Sequence, residues 1–182
     1  MKNVWTSLLV LLVFTVICGF VYPMLITGIA QVCFPKQANG SLVEKDGKII
    51  GSRLIGQEFA GEEYFHGRPS NSNYTQGTSS NIALSNPELL VRLEEQYTHA
   101  RVSYGVEKDA DIPADLVTES ASGLDPDITL EAALVQVKTV AKVRGLDPVK
   151  LEALVNSLAK QGIGYKFVNV LELNMALEEM SK

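Results

Sequence analysis

Cysteine and histidine are almost missing from this chain, with two of each in 182 residues. Cys18 and Cys33 both fall in an apolar N-terminal stretch, so nothing beyond residue 33 carries a thiol. That removes disulfides, thiolate metal sites and cysteine nucleophiles from the rest of the chain. The two cysteines lie 15 residues apart, about 22 Å along a helix, too far to bridge. His66 and His99 stand alone, without H-E-x-x-H or C-x-x-C, which argues against zinc. The phosphate-binding patterns G-x-x-x-x-G-K-[ST] and G-x-G-x-x-G are absent, as is the G-x-S-x-G nucleophile elbow. Basic residues are outnumbered: with Lys2 set aside, 15 Lys and Arg face 21 Asp and Glu. An acidic domain has no electrostatic reason to seek nucleic acid or anionic lipid.

Charge is missing altogether from one long stretch. Between Lys2 and Lys36 no charged side chain occurs. A bilayer core needs ~20 apolar residues as helix, and this run exceeds that. It is too long for a signal peptide, and Ala30-Gln31-Val32-Cys33 offers no small-residue cleavage site. Residues 1–35 are therefore expected to form an uncleaved transmembrane anchor in a lipid bilayer. A single pass cannot enclose a pore, so the rest works at a membrane surface beside other subunits. Thr15, Gly19, Pro23 and Thr27 recur every four residues. They predict a stripe where a partner helix approaches closely. Tyr22-Pro23 predicts a kink, because proline lacks an N–H.

Residues 36–182 are expected to form one small soluble α+β domain. Asp46-Gly47 between short apolar runs predicts a β-hairpin over residues 41–57. Residues 66–86 are rich in Asn, Ser, Gly and Thr and read as a long polar loop or flap. Ser85-Asn86-Pro87-Glu88 has capping-box spacing and opens a helix that stops before Gly105. Residues 106–128 are expected to be mostly irregular, with turn clusters at Asp111–Asp115 and Ser122–Asp127. A second helix runs from Thr129 to Arg144, with Leu130, Ala133, Leu134, Val137 and Ala141 inward. A third starts at Asp147-Pro148 and ends at Gly162. A short strand over residues 165–168 precedes a last helix capped by Asn169.

Candidate chemistry is sparse. His66 sits in Tyr64-Phe65-His66-Gly67-Arg68-Pro69-Ser70, a segment expected to be a structural turn with Arg68 pairing a carboxylate. The stretch containing Ser120, Ser122 and Gly123 is small, polar and just ahead of a helix. Helix N-termini attract anions, although a plain turn with an N-cap explains it as well.

These pieces, taken in order, resemble the KdpC family, the C subunit of the bacterial Kdp-type potassium-transporting ATPase. The matching stretches are Val21-Tyr22-Pro23, Gln37-Ala38-Asn39-Gly40-Ser41-Leu42, Gly51-Ser52 with Leu54-Ile55-Gly56-Gln57, and Tyr64 through Ser70. Ser85-Asn86-Pro87-Glu88-Leu89, Ser120-Ala121-Ser122-Gly123-Leu124-Asp125 and Val168-Asn169-Val170-Leu171-Glu172-Leu173-Asn174 continue the match. The chain departs at Asp127 and Thr139, where the family often has a polar residue such as His and an Arg respectively.

The resemblance implies an ATP-driven potassium-uptake complex in the bacterial inner membrane. Its partners are a channel-like potassium-binding subunit, a P-type ATPase subunit and a small single-helix subunit. This chain lacks the aspartyl-phosphate signature, so it is expected to be a non-catalytic subunit without a tightly bound cofactor. Two roles are implied. One is assembly, with the domain on the outer face and Tyr64, His66 and Arg68 among its contacts. The other is a catalytic chaperone sharing ATP with the ATPase subunit, with Gln136, Ser120, Ser122 and Gly123 as nucleotide candidates. Two other classes stand against this. A single-pass sensor or solute-binding receptor needs a signalling domain, for which residues 1–3 leave no room. A membrane-anchored hydrolase needs turnover by the domain alone.

Overall fold

A computed structural model describes residues 2–107 and 110–180. Lys108 and Asp109, inside the stretch expected to be irregular, lie outside the described residues. The chain divides into two compact units, Met1–Leu42 and Val43–Lys182.

The first unit is helical: α1 (Lys2–Val16), a five-residue π turn (Ile17–Val21), α2 (Tyr22–Cys33) and the single turn α3 (Pro35–Ala38). Lys2–Cys33 has a mean hydropathy of 2.6 and is long and apolar enough to cross a membrane. The break expected at Tyr22-Pro23 takes the form of the π turn. Proline cannot donate to the carbonyl one turn back, and the wider turn absorbs the defect. The Tyr22 N–H there donates to the Ile17 carbonyl, five residues earlier. The hydroxyls of Thr6, Ser7 and Thr15 each donate to a carbonyl four residues back. That satisfies them on an otherwise apolar helix. Below α2, the side-chain amides of Gln31 and Asn39 pair reciprocally at 3.1 and 3.3 Å.

The second unit opens with the hairpin β1 (Leu42–Lys45) and β2 (Lys48–Ser52). Asp46 (φ 52°) and Gly47 (φ 74°) both take positive φ, the type I′ geometry that Asp-Gly favours. No helix or named strand follows until α4 (Pro87–Tyr104), so the polar loop is longer than residues 66–86. The cap of α4 also differs from the expected one. The Asn86 side chain, not that of Ser85, accepts from the Glu88 N–H at 3.0 Å. Gly105 ends the helix at φ 61°.

After a 3-10 turn at Ala114–Leu116 come β3 (Asp127–Thr129), α5 (Leu130–Arg144) and α6 (Pro148–Leu158). The unit closes with β4 (Lys160–Gln161), β5 (Lys166–Asn169) and α7 (Val170–Met180). Thr129, Asp147 and Asn169 cap the helices that follow them. The sheet runs β3-β5-β4, all antiparallel, with Ile128 opposite Val168 and Lys160 opposite Phe167. One expectation is corrected here. The third helix ends at Leu158, not Gly162, because Ala159 turns extended and the chain enters β4. The stretch 106–128 is mostly irregular as expected, with a 3-10 turn at Ala114–Leu116, and runs into β3, which pairs with β5. Helices α5, α6 and α7 pack with the sheet around Phe65, Ile128, Val140, Leu151, Val155, Val168, Leu173 and Leu177, all fully buried. The architecture is α+β.

Candidate functional site

Two consecutive residues of the long loop are held by side-chain amides from two different helices. Asn174, on α7, accepts from the Phe65 N–H at 2.8 Å and donates to the Phe65 carbonyl at 2.9 Å. Gln136, on α5, accepts from the His66 N–H at 2.7 Å and donates to the His66 carbonyl at 3.0 Å. A primary amide presents the same donor–acceptor pair as a strand backbone. The two side chains therefore do for residues 65 and 66 what neighbouring strands would do. Gln136 is wholly buried, and its amide also donates to the Ala132 carbonyl.

The residues on either side are tied down as well. Arg144 donates to the Glu63 carbonyl at 2.6 Å and to Glu178 at 2.7 Å, while its guanidinium lies 4.9 Å from the Tyr64 ring centre. Glu178 accepts a hydrogen bond from the Tyr64 hydroxyl, which raises the tyrosine's pKa. The bond from Arg144 lowers that of Glu178. Arg68 reaches Asp125 at 3.2 Å and donates to the Thr118 carbonyl, the Thr118 hydroxyl and the Glu119 carbonyl. The expected carboxylate partner is thus Asp125, with Asp115 at 4.0 Å. The Tyr74 hydroxyl donates to the Arg68 carbonyl, and burial pushes its pKa up to about 12.

Tyr64, His66, Arg68, Tyr74 and Tyr104 together line a cleft of about 390 Å³. The His66 ring bridges its wall, with Nε2 3.1 Å from the Gly61 carbonyl and Nδ1 3.1 Å from the Tyr104 hydroxyl. A carbonyl only accepts, so this network assigns the proton to Nε2 and makes Nδ1 the acceptor. Burial lowers the ring's pKa below its ordinary value, and the charge of His99 lowers it further. The Gly61 carbonyl, Glu62 and Glu63 oppose that shift.

The sign of the resulting pH dependence follows. Below pH ~6.5 the unfolded chain binds a proton that the folded ring refuses. Stability is therefore complete above that pH and falls as the solution is acidified toward the depressed folded pKa. The slope is at most about 1.4 kcal/mol per pH unit, reduced by the ring's residual exposure. Melting curves between pH 8 and 5.5 are expected to show this decline, and His66→Asn to flatten it. An unchanged decline in the variant would assign it elsewhere.

The segment around Ser120 is a closed turn. The Gly123 N–H donates to the Ser120 hydroxyl at 2.9 Å, and the Leu124 N–H to the Ser122 hydroxyl at 3.2 Å. The Gly123 carbonyl accepts from Ser70 at 2.8 Å. Gly123 has φ 68°, and a Cβ there would stand 2.3 Å from the Thr78 carbonyl oxygen. Strand β3 separates this turn from α5, so it does not sit at a helix N-terminus as its sequence suggested. Gln136 and residues 120–123 lie on opposite ends of the 66–70 segment. In the apolar helix, Gly19 has open space where a side chain would stand. The extra residue of the π turn shifts Pro23 and Thr27 around the axis relative to Thr15 and Gly19. His99 is exposed on α4, and Asp127 accepts from the Asn169 amide at 3.0 Å.

Sequence reasoning missed Asn174, Tyr74 and Tyr104. Each is a polar or aromatic residue at an inward position or in the polar loop, a signal that becomes specific only when its partner is known.

Comparison with known proteins gives one consistent result. The family described as "KdpC: K+-transporting ATPase, c chain" matches residues 4–179. A potassium-transporting ATPase KdpC subunit of Rhodopseudomonas palustris (strain BisB5) is 43% identical over 202 residues, covering 100% of this chain and 99% of that protein. One from Pseudomonas aeruginosa (strain PAO1) is 44% identical over 185 residues, covering 100% and 99%. A "KdpC subunit 2" from Staphylococcus aureus (strain Mu50) is 40% identical over 193 residues, covering 99% and 100%.

Proposed function

The chain belongs to the KdpC family, the C chain of the potassium-transporting ATPase, and from that premise we propose that its folded domain assembles and steadies the transport complex. Membership carries a role in the potassium-uptake complex. The proposal adds that this subunit is non-catalytic and works by docking. Its partners would be the channel-like potassium-binding subunit, the P-type ATPase subunit and the small single-helix subunit. Lys2–Cys33 would span the bilayer of the bacterial inner membrane, and the soluble domain would stand on its outer face.

The pair of buried amide clamps carries this reading. Gln136 and Asn174 fix the middle of a long loop in one shape. A preshaped loop costs little entropy on docking. The same geometry weighs against direct ATP contact. Both ends of the Gln136 amide are already engaged, and the N–H groups of Gly123 and Leu124 point at Ser120 and Ser122. An effect on ATP affinity would then be linkage, with the domain favouring the state of the ATPase subunit that binds nucleotide better. The acidic surface suits an outer entrance, where it would concentrate cations within a screening length of ~8 Å.

Omission of the chain tests the reading. The other subunits, purified from membranes with and without it, are expected to stay together only when it is present. Unchanged co-purification in its absence would overturn the assembly role. A photoreactive ATP analogue is expected to leave the purified full chain unlabelled; labelling at Gln136 or Ser122 would favour the nucleotide role. Sidedness is read with Gln76→Cys in a Cys18→Ala, Cys33→Ala background, using an impermeant thiol reagent on cells with an opened outer barrier. Labelling supports the outer face, and protection until lysis opposes it.

The helix makes a prediction of its own. Gly19→Leu fills the open space beside the π turn and keeps a partner helix from close approach. Co-purification of the other subunits is expected to fall about tenfold, the equivalent of 1.4 kcal/mol. Full retention would remove Gly19 from any helix interface.

A further inference from the structure

Helix α4 is the least buried long element of the soluble unit. Of its 18 residues only Ala100 and Tyr104, near the C-terminal end, are buried. Its first three turns expose Leu90 (68%) and Val91 (55%), and Leu84 just before it is 92% exposed. Val91 and Val102 line a separate pocket along the helix. Beside these turns lies a groove of about 660 Å³ between the helix, residues 70–84 of the loop and residues 117–121. Leu84, Leu89, Leu93 and Val117 give it an apolar lining. Concentrated apolar exposure of this kind marks a contact surface rather than ordinary scatter.

The charges around this face are one-sided. Glu88, Glu94, Glu95 and Glu119 stand against Arg92, which is itself held by Glu88 at 2.8 Å and by Glu119 at 3.8 Å. Glu119 Oε2 is buried and has no hydrogen-bond partner among the described residues. A carboxylate oxygen in that position lacks a donor. A second copy of this chain is a poor occupant, because an isologous contact would set the same acidic groups against themselves. Anionic lipid is repelled for the same reason.

We infer that the N-terminal half of α4, with its groove, receives a segment of another subunit of the complex that carries an apolar side chain beside a lysine or arginine. The apolar side chain fills the space between Leu84, Leu89 and Leu93, and the cation pairs with Glu95, which is exposed on the lining of the same groove. This deepens the assembly reading and rests on it.

A photoreactive p-benzoylphenylalanine placed at Leu84, exposed on the groove's lining, in the full chain within the assembled complex, is the test. The expected result is a cross-link to a different subunit, in a peptide containing Lys or Arg. The same probe at Ile163, fully exposed on another part of the domain, serves as the control. Leu90→Lys, at an exposed position, is expected to leave the melting temperature unchanged and to lower co-purification about tenfold or more. Glu95→Gln, nearly isosteric, is expected to weaken it as well. A cross-link to a second copy or to lipid alone, or no cross-link, overturns the inference, as does full co-purification of the Leu90→Lys chain. A complex that needs the chain yet tolerates Leu90→Lys removes only this face. A complex that forms without the chain removes the assembly role itself.

Discussion

Replacing Gln136 with leucine is expected to lower the domain's unfolding free energy by about 3–5 kcal/mol. Leucine fits the volume but offers neither donor nor acceptor. The His66 N–H and carbonyl would both lose their partner in a partly buried place. Each unsatisfied group costs about 1–3 kcal/mol. The adjoining Asn174 clamp would hold Phe65 but could not restore what residue 66 has lost. Because the two amides grip neighbouring residues, the double variant Gln136→Leu, Asn174→Leu is expected to cost less than the sum of the single ones. Urea unfolding of the full chain in detergent, followed by tryptophan-independent circular dichroism, gives all three values. A Gln136→Leu change below about 1 kcal/mol would mean that water replaces the amide, and the clamp would not be what orders the loop.

That clamp also marks where the sequence stops being legible. Local features were readable. Asp46-Gly47 specifies its own turn, and Thr129, Asp147 and Asn169 each cap a helix within three residues of themselves. The inward faces of α5 and α6 followed from apolar spacing, whereas on α4 Leu90, expected on the apolar face, is 68% exposed; the ordered motifs were enough to suggest the family. The cap of α4 slipped by one residue because Ser85 and Asn86 are both good caps. The geometry of the pair decides between them, not their identity.

Elements that depend on distant partners were not readable. β3 and β4 have three and two residues, too few for any periodicity, and exist because β5 pairs with both. The hydrogen bonds from Gln136 to His66 span 70 residues, and those from Asn174 to Phe65 span 109. One local hint was present. Gln136 lies three and four residues from Ala133, Ala132 and Val140, on the inward face of α5, where a polar side chain must find a partner. The hint says that the amide is bonded, but not to what. The family resemblance, not this position, made Gln136 a nucleotide candidate; in the fold its amide is bonded to the protein's own backbone.

The second large effect lies at Phe65 itself. Phe65→Ala is expected to cost about 3–5 kcal/mol, comparable with the loss of a clamp but by a different route. The ring is fully buried and belongs to the core that α5, α6, α7 and the sheet enclose. Its removal forfeits apolar burial and leaves a cavity, while both amide clamps keep their backbone partners. A marginal domain has only about 5–15 kcal/mol in total, so the cost of this change is a large fraction of its stability. The two variants should differ in what they do to the complex. Loss of the clamp loosens residues 65 and 66 directly. The Phe65 cavity weakens the core but leaves the backbone of those residues held. At 10 °C, where both variants are still folded, Gln136→Leu is expected to expose the loop to proteolysis more than Phe65→Ala does at equal stability. Equal cleavage at matched stability would mean that the loop is ordered by the core beneath it and that the amides merely follow.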